Sequence, residues 1–370
     1  MIYQPREDSE LLKKYVKQFA KGLVLDMGTG SGIQAETAAK KREVKTVIAV
    51  DINPEAKKYI QHKKVKFIHS DLFKKIPKKR FNTIIFNPPY LPQDPNIEDP
   101  SLYGGKQGFE ILEKFLNQIN TYLEEDGIVL IVFSNFTQKN IVDFILEKNL
   151  LQFKLLEKQK LPLFEELYCY LIKKTQTLKH LNKKVKEIKY LAHGKRGMIF
   201  TANYRKKKIA IKVKKRSSEA IGRIQNEIKW LEQLNKSKIG PKLLFHNKNY
   251  LAYEFIPGEF IIDFIKNNPK TKVKKVIKNV FEQCFILDLL SINKEEMHRP
   301  LKHIIIKYPK VTLIDFERTH IAKKPHNVTQ FIQFITYLLK LNKTKMRKLA
   351  QEYKQQMTKK NFQKIINKIS

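Results

Sequence analysis

Apolar residues in the first half of the chain fall into short runs separated by amphipathic segments. Between Leu11 and Phe19 they recur at helical spacing, and Asp8 or Ser9 is placed to cap that helix. Short continuous apolar runs bounded by polar or turn residues predict buried strands. The predicted strands cover residues 23–25, 46–50, 65–69, 81–86, 127–133 and 167–172. Helices predicted between most of them give the alternation of a doubly wound α/β sheet.

Residues suited to ligand contact follow several of these strands. The first strand leads into Asp26 and a turn with glycines at positions 28, 30 and 32, where the backbone can pass close to a ligand. The second strand ends at Asp51, and an acid there typically accepts hydrogen bonds from ribose hydroxyls. The third strand ends in Ser70-Asp71-Leu72. The glycine spacing departs from GxGxxG, which disfavours a dinucleotide ligand.

The fourth predicted strand ends in Asn87-Pro88-Pro89-Tyr90. Two prolines stop the strand and hold the backbone rigid. The Asn87 side-chain oxygen and the Pro88 carbonyl could then accept both N–H groups of a planar amino group, while Tyr90 covers its flat face. This arrangement suits methylation of an amide or of an exocyclic amine. The alternative interpretation is a proline-rich turn with no chemical role.

Several segments in this order resemble those of class I S-adenosylmethionine-dependent methyltransferases, and within them the HemK-type protein-glutamine methyltransferases of the short archaeal and eukaryotic branch. The segments are Tyr3–Ser9, Asp26–Gly32, Asp51–Pro54, Asn87–Tyr90 and Gly104–Gly108. The resemblance implies a Rossmann-like seven-stranded sheet over residues 1–173. It also implies a cofactor pocket lined by Ser9, Asp26, Gly28, Gly30, Asp51, Asp71, Leu72 and Asn87. The catalytic residues that it implies are Asn87, Pro88 and Tyr90.

The same resemblance implies a substrate and a partner. The family methylates the glutamine amide in the Gly-Gly-Gln loop of translation termination factors, and its short branch often uses a small zinc-binding activator subunit. The sequence supplies no zinc-ligand spacing of its own, so the activator would be a separate chain. The Asn-Pro-Pro-Tyr turn also serves enzymes that methylate adenine or guanine amino groups. An RNA or DNA methyltransferase, with the basic second half as its nucleic-acid-binding module, is therefore the alternative.

Beyond residue 173 the pattern changes. Residues 174–186 are Lys-rich and predict a linker or a surface helix. A glycine-containing hairpin over residues 190–200 is followed by an alternating strand over 209–213, which carries Lys212 among apolar neighbours. A helix predicted over 219–234 carries Glu227. An apolar strand from residue 311 stops at Asp315, and two Lys-rich helices are predicted after it.

These elements in order resemble the atypical protein kinases that include the RIO kinases and the kinase of the KEOPS complex. The resemblance implies a small α+β kinase-like domain, with an N-lobe over residues 187–253 and a reduced C-lobe over 254–370. It implies an ATP site in which Lys212 pairs with Glu227, the hinge begins at Glu254 and Asp315 binds Mg²⁺. The alternative for Lys212 is an edge-strand lysine whose amine reaches solvent.

In the resemblance to protein kinases, residues 298–303 correspond to the catalytic loop. Pro300 corresponds to the catalytic base of that loop. Proline cannot accept a proton from a hydroxyl. His303 is a candidate for the missing metal-binding Asn, and Asp288 for a displaced base. ATP binding without phosphotransfer is therefore weighed equally with kinase activity.

Charge also divides the chain. Residues 1–173 hold 27 Lys and Arg against 22 Asp and Glu, whereas residues 174–370 hold 46 against 14. The basic half predicts contact with a polyanion such as tRNA, rRNA or the ribosome surface; the alternative is a generally Lys-rich composition. Cys169 and Cys284 lack disulfide-framework or zinc spacing. With no signal segment and no long apolar run, the sequence predicts a cytoplasmic protein that does not associate with membranes.

Overall fold

The structure, a computed structural model, describes residues 2–95, 99, 101–194, 196–215 and 222–369. The chain divides into two compact units, Met1–Lys184 and Val185–Ser370. Each unit contains apolar core residues of its own. Within the described residues, none of the helices is both long enough and apolar enough to cross a membrane.

The first unit is built on a mixed seven-stranded sheet, which confirms the doubly wound fold that the sequence predicts. Its strands are β1 (Gly22–Met27), β2 (Val44–Asp51), β3 (Val65–His69), β4 (Phe81–Phe86), β5 (Leu123–Ser134), β6 (Leu151–Lys160) and β7 (Glu166–Lys174). Its helices are α1 (Glu7–Phe19), α2 (Ile33–Ala39), α3 (Glu110–Leu116), α4 (Ile119–Tyr122), α5 (Lys139–Lys148) and α6 (Gln176–Asn182), with 3₁₀ turns at Pro54–Tyr59 and Asn135–Thr137. The strand order is β3-β2-β1-β4-β5-β7-β6, and only β7 runs antiparallel to its neighbours. The chain order reverses between β1 and β4, where open α/β sheets form a ligand crevice.

Two apolar cores cover the two faces of this sheet. Val24 and Ile85 belong to the core that includes α1 and α2, whereas Leu25 and Ile84 belong to the core that includes α3 and α5. Strands covered on both faces consist of continuous apolar runs, which is why the sequence predicts the central strands. The sequence does not predict β6, because this edge strand mixes part-buried apolar residues with exposed Lys and Glu.

The segment 174–186, interpreted from sequence as a linker or a surface helix, contains α6 in the structure. Leu178 and Leu181 of this helix are buried, and Lys179 pairs with Asp126. The Thr175 hydroxyl caps the helix by accepting a hydrogen bond from the Leu178 N–H. Most of this segment is therefore folded as part of the first unit.

The second unit combines an antiparallel sheet with a helical region. Its strands are β8 (Lys186–His193), β9 (Gly197–Tyr204), β10 (Lys207–Lys214), β11 (Leu243–His246), β12 (Tyr250–Glu254), β13 (Glu259–Phe260), β14 (Ile292–Asn293), β15 (Ile304–Lys307), β16 (Lys310–Leu313) and β17 (His320–Ile321). Its helices are α7 (Arg223–Leu234), α8 (Ile261–Asn267), α9 (Lys270–Leu289), α10 (Asn327–Leu338), α11 (Lys343–Gln355) and α12 (Lys359–Ile369), with a 3₁₀ turn at Asn235–Ser237. The main sheet has the order β11-β12-β10-β9-β8. Residue 219, where the sequence predicts the start of α7, lies outside the described residues.

The C-terminal region contains three helices where the sequence predicts two. The break between α11 and α12 falls at residues 356–358, and the Thr358 hydroxyl accepts a hydrogen bond from the Asn361 N–H. Thr358 is an N-cap signal that the continuous Lys-rich pattern conceals. The apolar faces of these helices join one core, with Phe331, Tyr353 and Ile365 all buried in it.

Candidate active site

A cavity of about 1010 Å³ lies at the carboxyl ends of β1, β2, β3 and β4. The predicted residues that line it are Ser9, Gly28, Gly30, Asp51, Asp71, Leu72, Asn87, Pro88 and Tyr90. They come from separate segments because the parallel strands all end at the same edge of the sheet. Its volume is at the upper end of the range for small-molecule sites.

Asp26 is not among the residues that line this cavity, and its place in the cofactor pocket stays a prediction. Its buried carboxylate accepts hydrogen bonds from the Thr29 hydroxyl (2.6 Å) and the Ala35 N–H (3.1 Å). Burial raises the pKa of Asp26 to about 7. Through these two hydrogen bonds, Asp26 links the glycine turn to the first turn of α2.

Asp51 is held in place by the backbone at the end of β2. Its Oδ2 accepts from the Gly30 N–H and its Oδ1 from the Asn53 N–H, both at 2.8 Å. Each oxygen retains a lone pair that can accept a further hydrogen bond, as binding of ribose hydroxyls requires. Gly28 and Gly30 both have positive φ, which lets the turn approach a ligand without side-chain obstruction.

The Asn87 amide has a defined orientation in the cavity wall. Its Nδ2 donates to Asp8 Oδ2 (3.1 Å) and to Ser9 Oγ (3.3 Å). Its Oδ1 is buried and has no hydrogen-bond partner in the described part of the chain. A carboxylate oxygen accepts hydrogen bonds, so Asp8 directs the NH₂ end of Asn87, and not Oδ1, toward itself. A buried acceptor without a partner costs about 1–3 kcal/mol, which a bound N–H group would offset.

Asp8 has a role that the sequence analysis missed. It is predicted as a helix cap, but α1 begins at Glu7 and its N-cap position is Arg6, without a side-chain cap. The buried Asp8 carboxylate instead accepts hydrogen bonds from the hydroxyls of Tyr3 (3.0 Å) and Tyr90 (3.3 Å). Burial and the nearby Asp8 carboxylate raise the pKa of both phenols, so both remain donors. The available sequence signal was the position of Asp8 immediately before Ser9, in a segment that resembles the family.

Residues 104–108 pack against the backbone of the Asn87–Tyr90 turn. The Gly104 N–H donates to the Leu91 carbonyl at 2.9 Å. A Cβ atom on Gly104 would lie 2.6 Å from the Pro89 carbonyl oxygen, and one on Gly108 would lie 2.5 Å from that of Tyr90. Only glycine allows the two backbone segments to pack this closely. These glycines therefore hold the turn in place.

In the second unit, Lys212 on β10 lies in a buried network of charges. Its Nζ is 2.6 Å from Glu227 Oε2, 3.0 Å from Asp315 Oδ1 and 3.5 Å from Glu317 Oε2. Burial alone would lower the pKa of Lys212, but the Glu227 and Asp315 carboxylates raise it well above its usual value, so the amine is cationic. Burial would raise the pKa of Asp315, but Lys212 and Lys294 hold it at about 2. The structure thus brings together three of the four predicted ATP-site residues.

Further members of this network were not found from the sequence. Lys294 is buried and donates to the Asp315 carbonyl at 2.9 Å, and its Nζ is 3.5 Å from Nδ1 of His303. Glu317 also pairs with Arg196 of the β8–β9 hairpin at 2.7 Å. Lysine is so frequent in this half of the chain that no local pattern distinguishes Lys294.

Two predicted residues have other contacts. Glu254 ends β12 opposite Ile209 and is not a member of the ion-pair network described for Lys212. Asp288 is buried and accepts hydrogen bonds from the Val328 N–H (3.2 Å) and the Tyr353 hydroxyl (3.1 Å), among others. Asp288 therefore anchors the start of α10, and its interpretation as a displaced base is wrong.

Metal binding through Asp315 stays a prediction. Among the described residues, no three His, Cys, Asp or Glu side chains are grouped so as to hold a metal ion. A Mg²⁺ ion in a nucleotide site needs only one or two carboxylates, because phosphates and water complete its coordination.

The chain is similar to known methyltransferases. Residues 7–161 match the family model described as the methyltransferase small domain. Among solved structures, the chain is similar to the E. cuniculi Mtq2–Trm112 complex, described as responsible for methylation of the eRF1 translation termination factor. That similarity has a TM-score of 0.40 and 26% identity, and it covers 47% of this chain and 99% of the other.

Two relatives are closer in sequence. The chain is 33% identical over 144 residues to a release factor glutamine methyltransferase of Koribacter versatilis, covering 33% of this chain and about half of that relative, 51%. It is 38% identical over 147 residues to a Methanocaldococcus jannaschii protein provisionally named protein N5-glutamine methyltransferase, covering 37% of this chain and 74% of that protein. The identity with this archaeal relative over most of its length shows that the chain belongs to the protein-glutamine methyltransferase family, in which S-adenosylmethionine is the methyl donor.

Proposed function

We propose that the first unit methylates the glutamine amide nitrogen in the Gly-Gly-Gln loop of a translation termination factor. The observation that carries this proposal is the Asn87 amide: Asn87 lines the cavity, and its buried Oδ1 has no hydrogen-bond partner among the described residues. Such an oxygen suits an incoming N–H group. The names of the curated relatives support a glutamine amide, and a release factor, as the substrate.

The residues around the cavity fit S-adenosylmethionine. When bound, this cofactor supplies an electrophilic methyl group on a positively charged sulfur. Asp51 would accept hydrogen bonds from the ribose hydroxyls, and Gly28 and Gly30 would let the backbone approach the cofactor closely. Asp71 and Leu72, after β3, would line the remainder of its site.

Positioning does most of the work in the proposed reaction, because a carboxamide nitrogen is a poor nucleophile. Asn87 Oδ1 and the Pro88 carbonyl would accept the two N–H groups of the substrate amide. Held in this way, the nitrogen directs its lone pair out of the amide plane, and Tyr90 would pack against that plane. The surplus proton can leave after methyl transfer, when the nitrogen has become acidic, so no general base is required.

A labelling experiment tests this function. The full chain is incubated with methyl-labelled S-adenosylmethionine and, separately, with the termination factor or total RNA of the organism that encodes it. We expect label on the glutamine of the Gly-Gly-Gln loop, located by mass spectrometry. Label in RNA and none in protein would contradict the proposal and favour the nucleic-acid methyltransferase. Adding extract fractions to the same assay tests whether a separate zinc-binding activator chain is required.

For the second unit, we propose a kinase-like domain that binds ATP. The observation that favours it is the 2.6 Å pair between Lys212 on β10 and Glu227 on α7, with Asp315 following β16. In protein kinases the equivalent pair places the lysine against the nucleotide phosphates, and the aspartate binds Mg²⁺. Efficient phosphotransfer is not proposed, because Pro300 cannot serve as a base and Asp288 is engaged in the core.

We also infer that the second unit contacts a polyanion such as tRNA, rRNA or the ribosome surface. Its helices bury their apolar faces in the core, while lysines of α9, α11 and α12 are exposed. Examples are Lys274, Lys348 and Lys360. Affinity for RNA that falls steeply as salt concentration rises would support this contact.

A further inference from the structure

Two large apolar side chains are presented to solvent between β6 and β7. The connection, residues 161–165, is here named the 161–165 loop. Leu163 is 88% exposed and Phe164 is 93% exposed. Single exposed apolar residues are common on protein surfaces, but an adjacent pair this exposed indicates a site of interaction.

The backbone of this loop is strained in a way that presents the two side chains. Leu163 and Phe164 have φ values of 59° and 61°, in the left-handed region that bulky residues avoid. The base of the loop is anchored by a hydrogen bond from the Leu161 N–H to the Glu165 carbonyl (2.8 Å). Asn135 adds two bonds, from its Nδ2 to the Phe164 carbonyl (3.2 Å) and from the Glu166 N–H to its Oδ1 (2.9 Å). The surrounding structure therefore maintains a conformation that the two residues would not adopt alone.

The loop lies at the edge of the candidate active site. Leu161 and Glu165, the residues on either side of the exposed tip, both line the cavity that contains Asn87. Leu163 and Phe164 therefore lie within two residues of the cavity wall along the chain, where a macromolecule that inserts a side chain into the cavity could contact them. The substrate is therefore the binding partner that the position of the loop favours.

The chemistry of the loop favours a protein over a nucleic acid. Residues 161–166 read Leu-Pro-Leu-Phe-Glu-Glu and contain no Lys or Arg, although the chain has a formal net charge of +37. The nearby Lys158 is paired with Glu166 at 2.8 Å. Aromatic residues that stack on nucleic-acid bases usually lie in positively charged grooves that attract phosphates. Leucine and phenylalanine followed by two glutamates suit an apolar patch on a folded protein instead.

We propose that Leu163 and Phe164 dock on an apolar surface of the protein substrate, beside the loop that carries its glutamine. This inference rests on the proposed function and adds a contact outside the reacting centre. Such a contact is made equally in the ground state and the transition state, so it lowers KM for the intact protein without changing kcat. A short peptide lacks the docking surface and gains nothing from the loop.

The test compares two substrates of the full chain: the intact termination factor and a short peptide that carries Gly-Gly-Gln. The variants are Leu163→Asn, Phe164→Asn and the double variant, because Asn tolerates the left-handed backbone conformation. We expect the double variant to raise KM for the intact factor at least tenfold, with kcat and the KM for the peptide unchanged. Phe164→Leu, which keeps the apolar surface, should stay near the wild-type KM.

Tyr337→Asn is a matched control, because Tyr337 is 81% exposed on the second unit and distant in sequence. Its KM values should not change. An unchanged KM of the double variant for the intact factor would overturn the inference. An equal loss with factor and peptide would also overturn it, since the loop would then shape the cavity. If the wild-type chain methylates RNA and neither protein substrate, the proposed function itself is wrong, whatever the loop variants show.

Discussion

The polar sites of the two units differ in whether their polar groups already have hydrogen-bond or ion-pair partners. In the first unit, Asp8 binds one end of the Asn87 amide, and the buried Oδ1 has no partner in the part of the chain that the structure describes. In the second unit, Lys212 is surrounded by Glu227, Asp315 and Glu317, so its charge is already neutralised. The Asn87 amide is already oriented by Asp8, whereas the charged groups around Lys212 pair with one another.

This difference predicts how each site takes up a ligand. A substrate N–H group adds a hydrogen bond to Asn87 without breaking another one. If the second unit binds ATP as proposed, the phosphates at Lys212 would instead have to compete with carboxylates that are already in contact with the amine. We therefore expect little rearrangement in the first unit on binding and a redistribution of ion pairs in the second.

The largest expected effect comes from removing the Asn87 side-chain oxygen. Asn87→Ala should lower kcat by about a thousandfold or more, because an acceptor that orients the reacting nitrogen is lost. Affinity for S-adenosylmethionine, measured by calorimetry, should stay within a few-fold of the wild type. Turnover near the wild-type rate would contradict the role given to this amide.

Replacing Lys212 removes the cation from the ion-pair network of the second unit. Lys212→Met leaves Glu227 buried without its cation, which typically costs about 3–5 kcal/mol of stability. Thermal unfolding of the full chain should show this loss, and ATP affinity should fall by about tenfold or more if the phosphates bind Lys212. Adding Glu227→Gln should recover part of the stability and none of the ATP affinity. Unchanged ATP affinity in Lys212→Met would remove the support for the kinase-like site.

The orientation of Asn87 is tested at Asp8. Asp8→Asn is isosteric but can both donate and accept, so it no longer directs the Asn87 NH₂ group toward itself. We expect kcat to fall by about 10–100-fold. Selectivity for a glutamine peptide over the matching glutamate peptide should also fall, because a reversed Asn87 donates to a carboxylate. Tyr3→Phe, which leaves the acceptor in place, is the control and should have a small effect. An unchanged peptide selectivity in Asp8→Asn would show that other contacts orient the amide.

The last prediction concerns the pH dependence of stability that the buried Asp26 carboxyl group contributes. Because burial raises the pKa of Asp26 from 3.8 to about 7, the folded chain keeps a proton that the unfolded chain has lost between these pH values. Its contribution to the free energy of unfolding therefore falls as pH rises through this window, by up to ~1.4 kcal/mol per pH unit. Asp26→Asn should remove this slope in urea unfolding between pH 4 and pH 8. Equal slopes in both proteins would show that Asp26 does not titrate in this range.

Local patterns predicted the framework of the first unit. The apolar run over residues 81–86 coincides with β4, because a strand buried on both faces leaves a continuous signal in sequence. Residues 65–69 coincide with β3, although this edge strand is only partly buried. The glycine turn and the Asn87–Tyr90 turn were also apparent, since their chemistry depends on neighbouring residues. Edge strand β6 was not predicted, because partial exposure weakens its apolar pattern. The break before α12 was not predicted, because the Lys-rich pattern continues across Thr358.

By itself, the sequence determined which segments form the sheet and which short turns carry the chemistry, because both depend on neighbours along the chain. Only the tertiary structure decided what the charged side chains do. Asp8 contacts Asn87 across 79 positions, and Lys212 contacts Asp315 across 103. Hydrogen bonds and ion pairs act over a few ångströms in space, and no local pattern records which distant residues the fold brings within that range.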